Sequence, residues 1–576
     1  MKKSHNSQVL PWISQVAGKK KLYIGLLLLI QMVLGISSVC YAVFLKNLID
    51  EAVDKNRQGF FLSVMVFIVL VILQIILRTV QRFLEEYTRA TLENQFKLRL
   101  YSLLFYRDFA QVGQVHSGEW MNRLTSDVVI VADGLVQILP GVAGMIVKML
   151  GALLVILALE PEFGYLLIPG GILLILLTYG FRKILKELHK RVQEADGKLR
   201  VFLQESIGSM LIIRAFVKED QTLQAASARM KVHKKARCKK NHFSNLSNVG
   251  FGIVMQGGYV FGAVYCGYKI LNGSMSYGTL MAILQLIGQI QSPLANITGY
   301  LPKYYAMLAS AERLKEVEAY EVDIEGGKNS YKSLQEIRNF YENYFHSIIL
   351  EQAKFTYQAP THDSKVMMPV VLDNVNLVIN KGEYVAFTGT SGCGKSTVLK
   401  LLMCLYPLDA GDRIMKLIDQ TTVLLTGNYR RLFAYVPQGN HLMSGTIRDI
   451  VTYSEQLATQ EEERIWRALH IACAQTFVKE LPLGLDTLLG ERGAGLSEGQ
   501  MQRLAIARAI YSEHPVLILD ESTSALDEKT EAQLISNLRV MTDRTVLIVT
   551  HRAAALRICD KEITFSQLER KEICLR

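Results

Sequence analysis

No C-x-x-C spacing occurs in the 576 residues, and the eight cysteines stand far apart: Cys40, Cys238, Cys266, Cys393, Cys404, Cys473, Cys559 and Cys574. A zinc site or a disulfide framework needs grouped thiols, so neither is implied. The first apolar run, about 25 residues long, lacks a small-residue cleavage motif after it. It is therefore not read as a cleaved signal and is expected to stay in the membrane. Lys and Arg are absent from 160–164 and from 270–278, while 46–59 carries only Lys46, Lys55 and Arg57. The formal charge of +11 could suit nucleic acid, but its location excludes that partner. Basic residues gather at Lys19–Lys21, at Arg78, Arg82, Arg89, Lys97 and Arg99, and from Lys183 to Arg191 and Lys234 to Lys240. All of these lie on one side of a set of apolar runs, the pattern of cytoplasmic loops in a membrane protein.

Six stretches are long and apolar enough to be expected as spans: Leu22–Leu45, Phe60–Leu77, Leu135–Leu159, Gly164–Phe181, Val249–Ile270 and Tyr277–Leu301. An even number places both termini on the basic, cytoplasmic side. The inside connections 78–134 and 182–248 each exceed fifty residues, with few breakers and with pairs such as Glu85/Arg89 and Lys186/Lys190 at helical spacing. The membrane helices are thus expected to continue into the cytosol and turn back there. Residues 316–344 are polar and read as a linker. The expected organisation is a membrane all-α six-helix domain over 1–315, the linker, and an α/β P-loop NTPase domain over 345–576.

Gly389-Thr-Ser-Gly-Cys-Gly-Lys395-Ser396 matches the phosphate-cradling pattern G-x-x-x-x-G-K-[ST]. Gly389, Gly392 and Gly394 free the backbone so that N–H groups can point at phosphate oxygens. Thr390, Ser391, Cys393 and Thr397 complete the candidate cradle, and Cys393 within it fits a reducing cytosol. Lys395 supplies charge to the β- and γ-phosphates, Ser396 can ligate Mg2+, and the helix that follows adds its dipole. Tyr384–Phe387 is the apolar strand the motif requires. A second apolar strand, Val516–Leu519, ends in Asp520 and Glu521. The first carboxylate can hold Mg2+ through water; the second can orient and deprotonate an attacking water. A third, Thr545–Val549, delivers Thr550 and His551.

Leu496-Ser-Glu-Gly-Gln500 resembles the signature loop of ABC transporter ATPases, usually L-S-G-G-Q. Tyr357 resembles the aromatic that stacks on adenine, Gln438 in Tyr435-Val-Pro-Gln438 the Q-loop glutamine, and Ser524–Asp527 the D-loop. Glu491–Gly493 is similar to a segment that senses the membrane domain. His116–Glu119 with Arg123–Asp127, and Glu205–Ile207 with Arg214–Phe216, look like intracellular loops of ABC exporters. The resemblance implies an exporter-type half-transporter. Two chains then pair, as a homodimer or as a heterodimer with another half-transporter. Each ATP lies between the P-loop of one chain and Ser497, Gly499 and Gln500 of the other. It also implies Glu521 and His551 as catalytic residues, and Ser396, Gln438 and Asp520 around Mg2+. Two departures stand out. Glu498 replaces a glycine, and either points to solvent or weakens that site. The chain also ends about 25 residues after His551, so a terminal helix is expected to be missing or short.

Within the spans, Lys148 is a charge that needs a wet cavity or a partner. Gln285, Gln289, Ser292 and Asn296 share one helical face, lining a pathway or bonding between helices. Tyr41, Met255 and Tyr259 offer apolar contact to an amphiphile, or packing. The expected activity is ATP-driven export or flipping of a small amphipathic cargo (drug, lipid or peptide) across the cell membrane, with lipid around the chain and the ATPase domain cytoplasmic. A nucleotide-gated regulatory or channel-like protein is the alternative, disfavoured because gating by binding alone does not need Glu521 and His551. An importer is disfavoured by the fusion of permease and ATPase in one chain, and a cargo-trimming exporter by the lack of a protease-like domain before the first span.

Overall fold

The computed structural model describes residues 2–323, 333–357, 370–439, 442–453, 462–490, 495–541, 543–565 and 574–575. The chain divides into two compact units. One holds Met1–Leu98 and Asn122–Lys315; the other holds Arg99–Met121 and Glu316–Arg576.

The helices preceding the linker are α1 (Lys2–Ala17), α2 (Lys21–Val53), α3 (Arg57–Tyr106), α4 (Phe109–Gly113), α5 (Ser117–Asn122), α6 (Val128–Leu159), α7 (Gly164–Gly208), α8 (Met210–Ala215), α9 (Glu219–Leu271) and α10 (Tyr277–Glu316). Each expected span falls inside one long helix, and α3, α7 and α9 run far beyond theirs. The stretches Val9–Val53, Arg57–Tyr106, Ser117–Leu159 and Glu219–Leu271 are long and apolar enough to cross a membrane.

Small residues let α2 and α6 approach closely. A Cβ on Gly35 would meet the Gly144 carbonyl at 3.0 Å, and one on Gly144 would meet the Gln31 carbonyl at 3.1 Å. Above them Val39 and Ala42 pack with Ala152 and Ile156 in a core shared with Ile283 and Leu286 of α10. Amides join the spans where backbone carbonyls need partners. The Gln74 amide donates to the Ser37 carbonyl at 3.1 Å, Gln289 to the Ser38 carbonyl at 2.7 Å, and Gln291 to the Met255 carbonyl at 2.7 Å. At the start of α10, Asp50 accepts from the Gly278 N–H at 2.9 Å and the Ser276 hydroxyl at 3.0 Å. At the other end, a π-helical turn over Arg123–Asp127 leads into α6. Asp127, fully buried, accepts from Arg313 Nε at 2.8 Å and the Ser310 hydroxyl at 2.9 Å.

The strands of the second unit are β1 (Phe345–Thr356), β2 (Val370–Asn380), β3 (Tyr384–Gly389), β4 (Ala410–Leu417), β5 (Thr422–Leu424), β6 (Phe433–Val436), β7 (Gly445–Thr446), β8 (Leu488–Leu489), β9 (Val516–Asp520), β10 (Thr545–Val549), β11 (Lys561–Phe565) and β12 (Cys574–Leu575). An antiparallel sheet has the order β2-β1-β4-β5, and a largely parallel one the order β12-β11-β3-β10-β9-β6. β9 and β10 are buried at every residue, because the parallel sheet is covered on both faces. Alternate residues feed two cores. Val516, Ile518, Leu547 and Val549 pack with the helix Lys395–Leu402, whereas Leu517, Leu519, Val546 and Ile548 pack with the helix Glu498–Tyr511. In such a sheet the chemistry gathers beyond the carboxyl ends of the strands.

The segment around α4 belongs to this unit. Arg107 bridges Val322 as an isolated antiparallel pair. The Asp108 N–H donates to the Glu321 carbonyl at 2.9 Å, and the Asp323 N–H to the Tyr106 carbonyl at 3.1 Å. Asp323 in turn holds Arg430, whose guanidinium also donates to the Met403 carbonyl at 3.2 Å, just past the helix Lys395–Leu402. Phe109 meets Tyr406 edge-on with ring centroids 5.7 Å apart.

Candidate active site

β3 ends in a loop that only glycine permits at its first and last bends. Gly389 has φ +127°, and a Cβ there would stand 2.2 Å from the Phe565 carbonyl oxygen. Gly394, at φ +104°, caps the helix Lys395–Leu402 in the left-handed region. Lys395 is buried and folds back across the loop, donating to the Gly389 carbonyl at 2.6 Å and the Thr390 carbonyl at 3.0 Å. Its ammonium also lies 3.8 Å from Cys393 Sγ. Thr397 is buried, and its hydroxyl is 3.0 Å from that of Tyr357. The Tyr357 ring is set by edge contacts to Phe355 at 4.9 Å and Tyr406 at 5.5 Å. Burial, with Tyr357 and Asp108 nearby, pushes the Tyr406 phenol up to about 12.

The neighbouring strands bring the acidic pair to this loop. β9 lies between β6 and β10, with Asp520 in register with Val549. Asp520 is 1% exposed and accepts from the Ser396 hydroxyl at 2.9 Å and the Tyr435 hydroxyl at 3.0 Å. Glu521 follows at φ +50°, a left-handed conformation costing about 1 kcal/mol for a residue with a side chain. Its Oε2 accepts from the Gln438 amide at 2.7 Å. Thr550 is buried beyond β10, and His551 is exposed beside it.

Ser497, Glu498, Gly499 and Gln500 open a helix, Glu498–Tyr511. Ser497 is its N-cap, accepting from the Gln500 N–H at 3.3 Å, while the Gln500 side chain accepts from the Ser497 N–H at 2.9 Å. A Cβ at Gly499 would stand 2.9 Å from the Ala525 carbonyl oxygen, so this glycine is required by close packing. Glu498 is exposed in the first turn, where a carboxylate suits the helix dipole. Among the described residues, these four make no hydrogen bond to the P-loop, Asp520 or Glu521. P-loop, paired acids and signature helix therefore stand on one α/β scaffold.

Two family models match, ABC transporter transmembrane region over residues 24–294 and ABC transporter over residues 372–524. The chain belongs to the ABC transporters. It is an exporter-type half-transporter, with the helical domain and the ATP-hydrolysing domain fused. The ATP-dependent lipid A-core flippase of Desulfotalea psychrophila is 28% identical over 527 residues, covering 90% of this chain and 87% of the relative. The cyclolysin secretion/processing ATP-binding protein CyaB of Bordetella pertussis is 27% identical, covering 96% and 75%. A bacterial Atm1-family ABC exporter solved with ATP bound shares the fold at TM-score 0.75, with 19% identity, over 97% of this chain and 95% of that one.

In this transporter the D-loop is braced from both sides. Arg552, next to His551, donates to the Ser524 carbonyl at 2.7 Å, the Leu526 carbonyl at 2.7 Å and Glu531 at 2.9 Å. Glu531, 1% exposed, also accepts from the Thr523 hydroxyl at 2.8 Å. From the signature helix, the Gln502 amide donates to the Ser524 hydroxyl at 3.2 Å and accepts from the Ala525 N–H at 3.1 Å. Sequence reasoning missed Arg552, Glu531, Gln502, Tyr406 and the role of Tyr435. The one available signal was position: all but Tyr406, ten residues past Ser396, stand within a few residues of a motif.

The donors around Asp520 suit Mg2+. Ser396 and Asp520 bring a hydroxyl and a carboxylate together, while Gln438, bonded to Glu521, adds an amide; all are hard oxygen donors of the kind Mg2+ takes. Asp520 is buried, yet no basic side chain bonds it among the described residues, which leaves its charge for a cation to balance. Among those residues no cluster of three His, Cys, Asp or Glu exists that could hold an ion by itself. Glu491–Gly493 lies outside the described residues. In the membrane half, Gln289 is buried as interhelical glue, Gln285 is half-buried and Ser292 is exposed. The Asn296 side chain lies outside those described.

Proposed function

We propose that two half-transporters, either two copies of this chain or this chain with a second type, close over two ATP molecules and so drive an amphipathic cargo across the membrane. The observation that carries this reading is that, among the described residues, the signature residues bond within their own helix cap and not to the P-loop or the acidic pair of the same chain. Ser497 and the Gly499 N–H would cover a phosphate on a partner's site and exclude water there. ATP stacks its base on Tyr357 and lays its phosphates on the P-loop amides. Lys395 then exchanges its carbonyl partners for the β- and γ-phosphates. Mg2+ at Ser396, Asp520 and Gln438 would supply charge against the phosphate oxygens. Gln438 orients Glu521 through one carboxylate oxygen, leaving the other to take a proton from the attacking water. His551 and Lys395 stabilise charge on the transferring phosphoryl group. Both termini and the ATPase domain face the cytoplasm, as the Lys/Arg bias requires.

For cargo, we infer an amphiphile with an anionic head. The six expected spans contain no Asp or Glu, and their only charged residues are Lys148 and Lys269. Lys269 is paired with Glu160 at 3.0 Å. Lys148 is half-buried on α6 and makes no ion pair among the described residues. A lone cation within a span calls for an anion or a wet cavity beside it. Relatives named as lipid A-core flippases make lipid-like compounds the first to test.

The test is ATPase activity of the purified chain in lipid vesicles beside Glu521→Gln. Turnover by the chain alone, lost in the variant, is the expected result for a homodimer. ATP binding without turnover points to a missing partner chain. Anionic amphiphiles should stimulate turnover more than neutral ones, and Lys148→Ala should erase that difference. Equal stimulation by both overturns the anionic assignment.

A further inference from the structure

Tyr435 lies three residues before Gln438, on β6, and its strand pairs with β9 so that Tyr435 is opposite Ile518 and Val436 opposite Leu519. That register lets the phenol reach past the strand end to Asp520 Oδ2 at 3.0 Å, while Ser396 takes Oδ1 at 2.9 Å. The two carboxylate oxygens thus have different partners. One belongs to the P-loop serine expected at the metal; the other is held by a residue on a neighbouring strand. A buried carboxylate with a single anchor can rotate about its Cβ–Cγ bond, and this rotation is what the phenol opposes. The ring itself is half-buried against the core behind the P-loop helix, so the hydroxyl cannot swing away without disturbing that packing.

We propose that Tyr435 is a positioning residue for the metal. It fixes Asp520 so that Oδ1 stays directed at the Ser396 site when an ion enters with ATP. Ser396 would offer its hydroxyl oxygen to the ion in place of its bond to Oδ1, while Tyr435 would keep its bond to Oδ2. This rests on the reading of Ser396 and Asp520 as the Mg2+ site. Tyr435 touches neither nucleotide nor metal, so its loss should leave the metal-free pocket intact and reduce only the gain that the ion provides.

The experiment compares the full-length chain in vesicles with Tyr435→Phe, which keeps the ring and removes the hydroxyl. A fluorescent trinitrophenyl-ATP is titrated in EDTA and again in excess Mg2+, with thermal melting as a check on folding. Wild type should bind more tightly with Mg2+. In the variant the affinity in EDTA should be unchanged and the Mg2+-dependent gain should fall by about three- to tenfold, the worth of one hydrogen bond to a buried acceptor. Asp520→Asn gives the reference for complete loss of that gain. An undiminished gain in Tyr435→Phe overturns the proposal. So does an equal loss in EDTA and in Mg2+, because Tyr435 would then serve packing alone. If Mg2+ leaves wild-type affinity unchanged, the metal site itself is misassigned, and this inference falls with it.

Discussion

Single side chains at this site carry separable duties. On the proposed reading Tyr357 offers its ring to adenine, so Tyr357→Ala should raise the KM for ATP by about tenfold, from the loss of stacking, with little change in kcat. Steady-state kinetics across ATP concentrations would show the split. Gly499 and Glu498 are neighbours with opposite constraints. A methyl at Gly499 has no room beside the Ala525 carbonyl, so Gly499→Ala should cost about 1–3 kcal/mol and lower the melting temperature. Glu498→Gly changes an exposed first-turn residue and should cost less, about 1 kcal/mol. Thermal unfolding of the two variants should rank them in that order. The P-loop and the acidic pair were legible in the sequence because each motif is local. Glu521 and Gln438 were both legible, but their bond was not. It joins residues 83 apart, and only the parallel pairing of β6 with β9 brings them together.

At the level of elements, the sequence indicated helices and buried strands through their periodicity and apolar runs, and the helices begin and end near the expected turns. What it did not disclose were the ties between elements made by single polar groups. Arg552 is the clearest case. Nothing in its local sequence marks it as a brace, yet its guanidinium spans the D-loop, and His551 is its immediate neighbour. Arg552→Ala should lower kcat about tenfold or more with little change in ATP affinity, because the 524–527 loop and the adjoining His551, proposed to act on the phosphate, lose their brace. Arg552→Lys, lacking the fork, should recover little of it. Comparing kcat and nucleotide affinity in both variants tests this. In the membrane unit, Arg313→Ala would strip the buried Asp127 of its guanidinium and should destabilise that unit by about 3 kcal/mol. Detergent-phase melting would register the loss.

Across the whole molecule, two units of different solvent share one chain, and charge asymmetry revealed this at the sequence level because lipid and water select opposite compositions. The boundary between the units was less visible. Sequence composition changes once, near residue 316, whereas the second unit also takes up Arg99–Met121. That segment is short, and its affiliation is decided by backbone pairing with 321–323, which leaves no trace in hydropathy. The discontinuity matters for anyone who dissects the protein. A fragment starting at Glu316 would be expressed without Tyr106–Phe109, so the carbonyl of Glu321, the N–H of Asp323 and the edge of Tyr406 would be left to water. The ATPase unit is thus folded from two separate stretches of one chain, with nearly two hundred residues of the helical unit threaded between Met121 and Glu316.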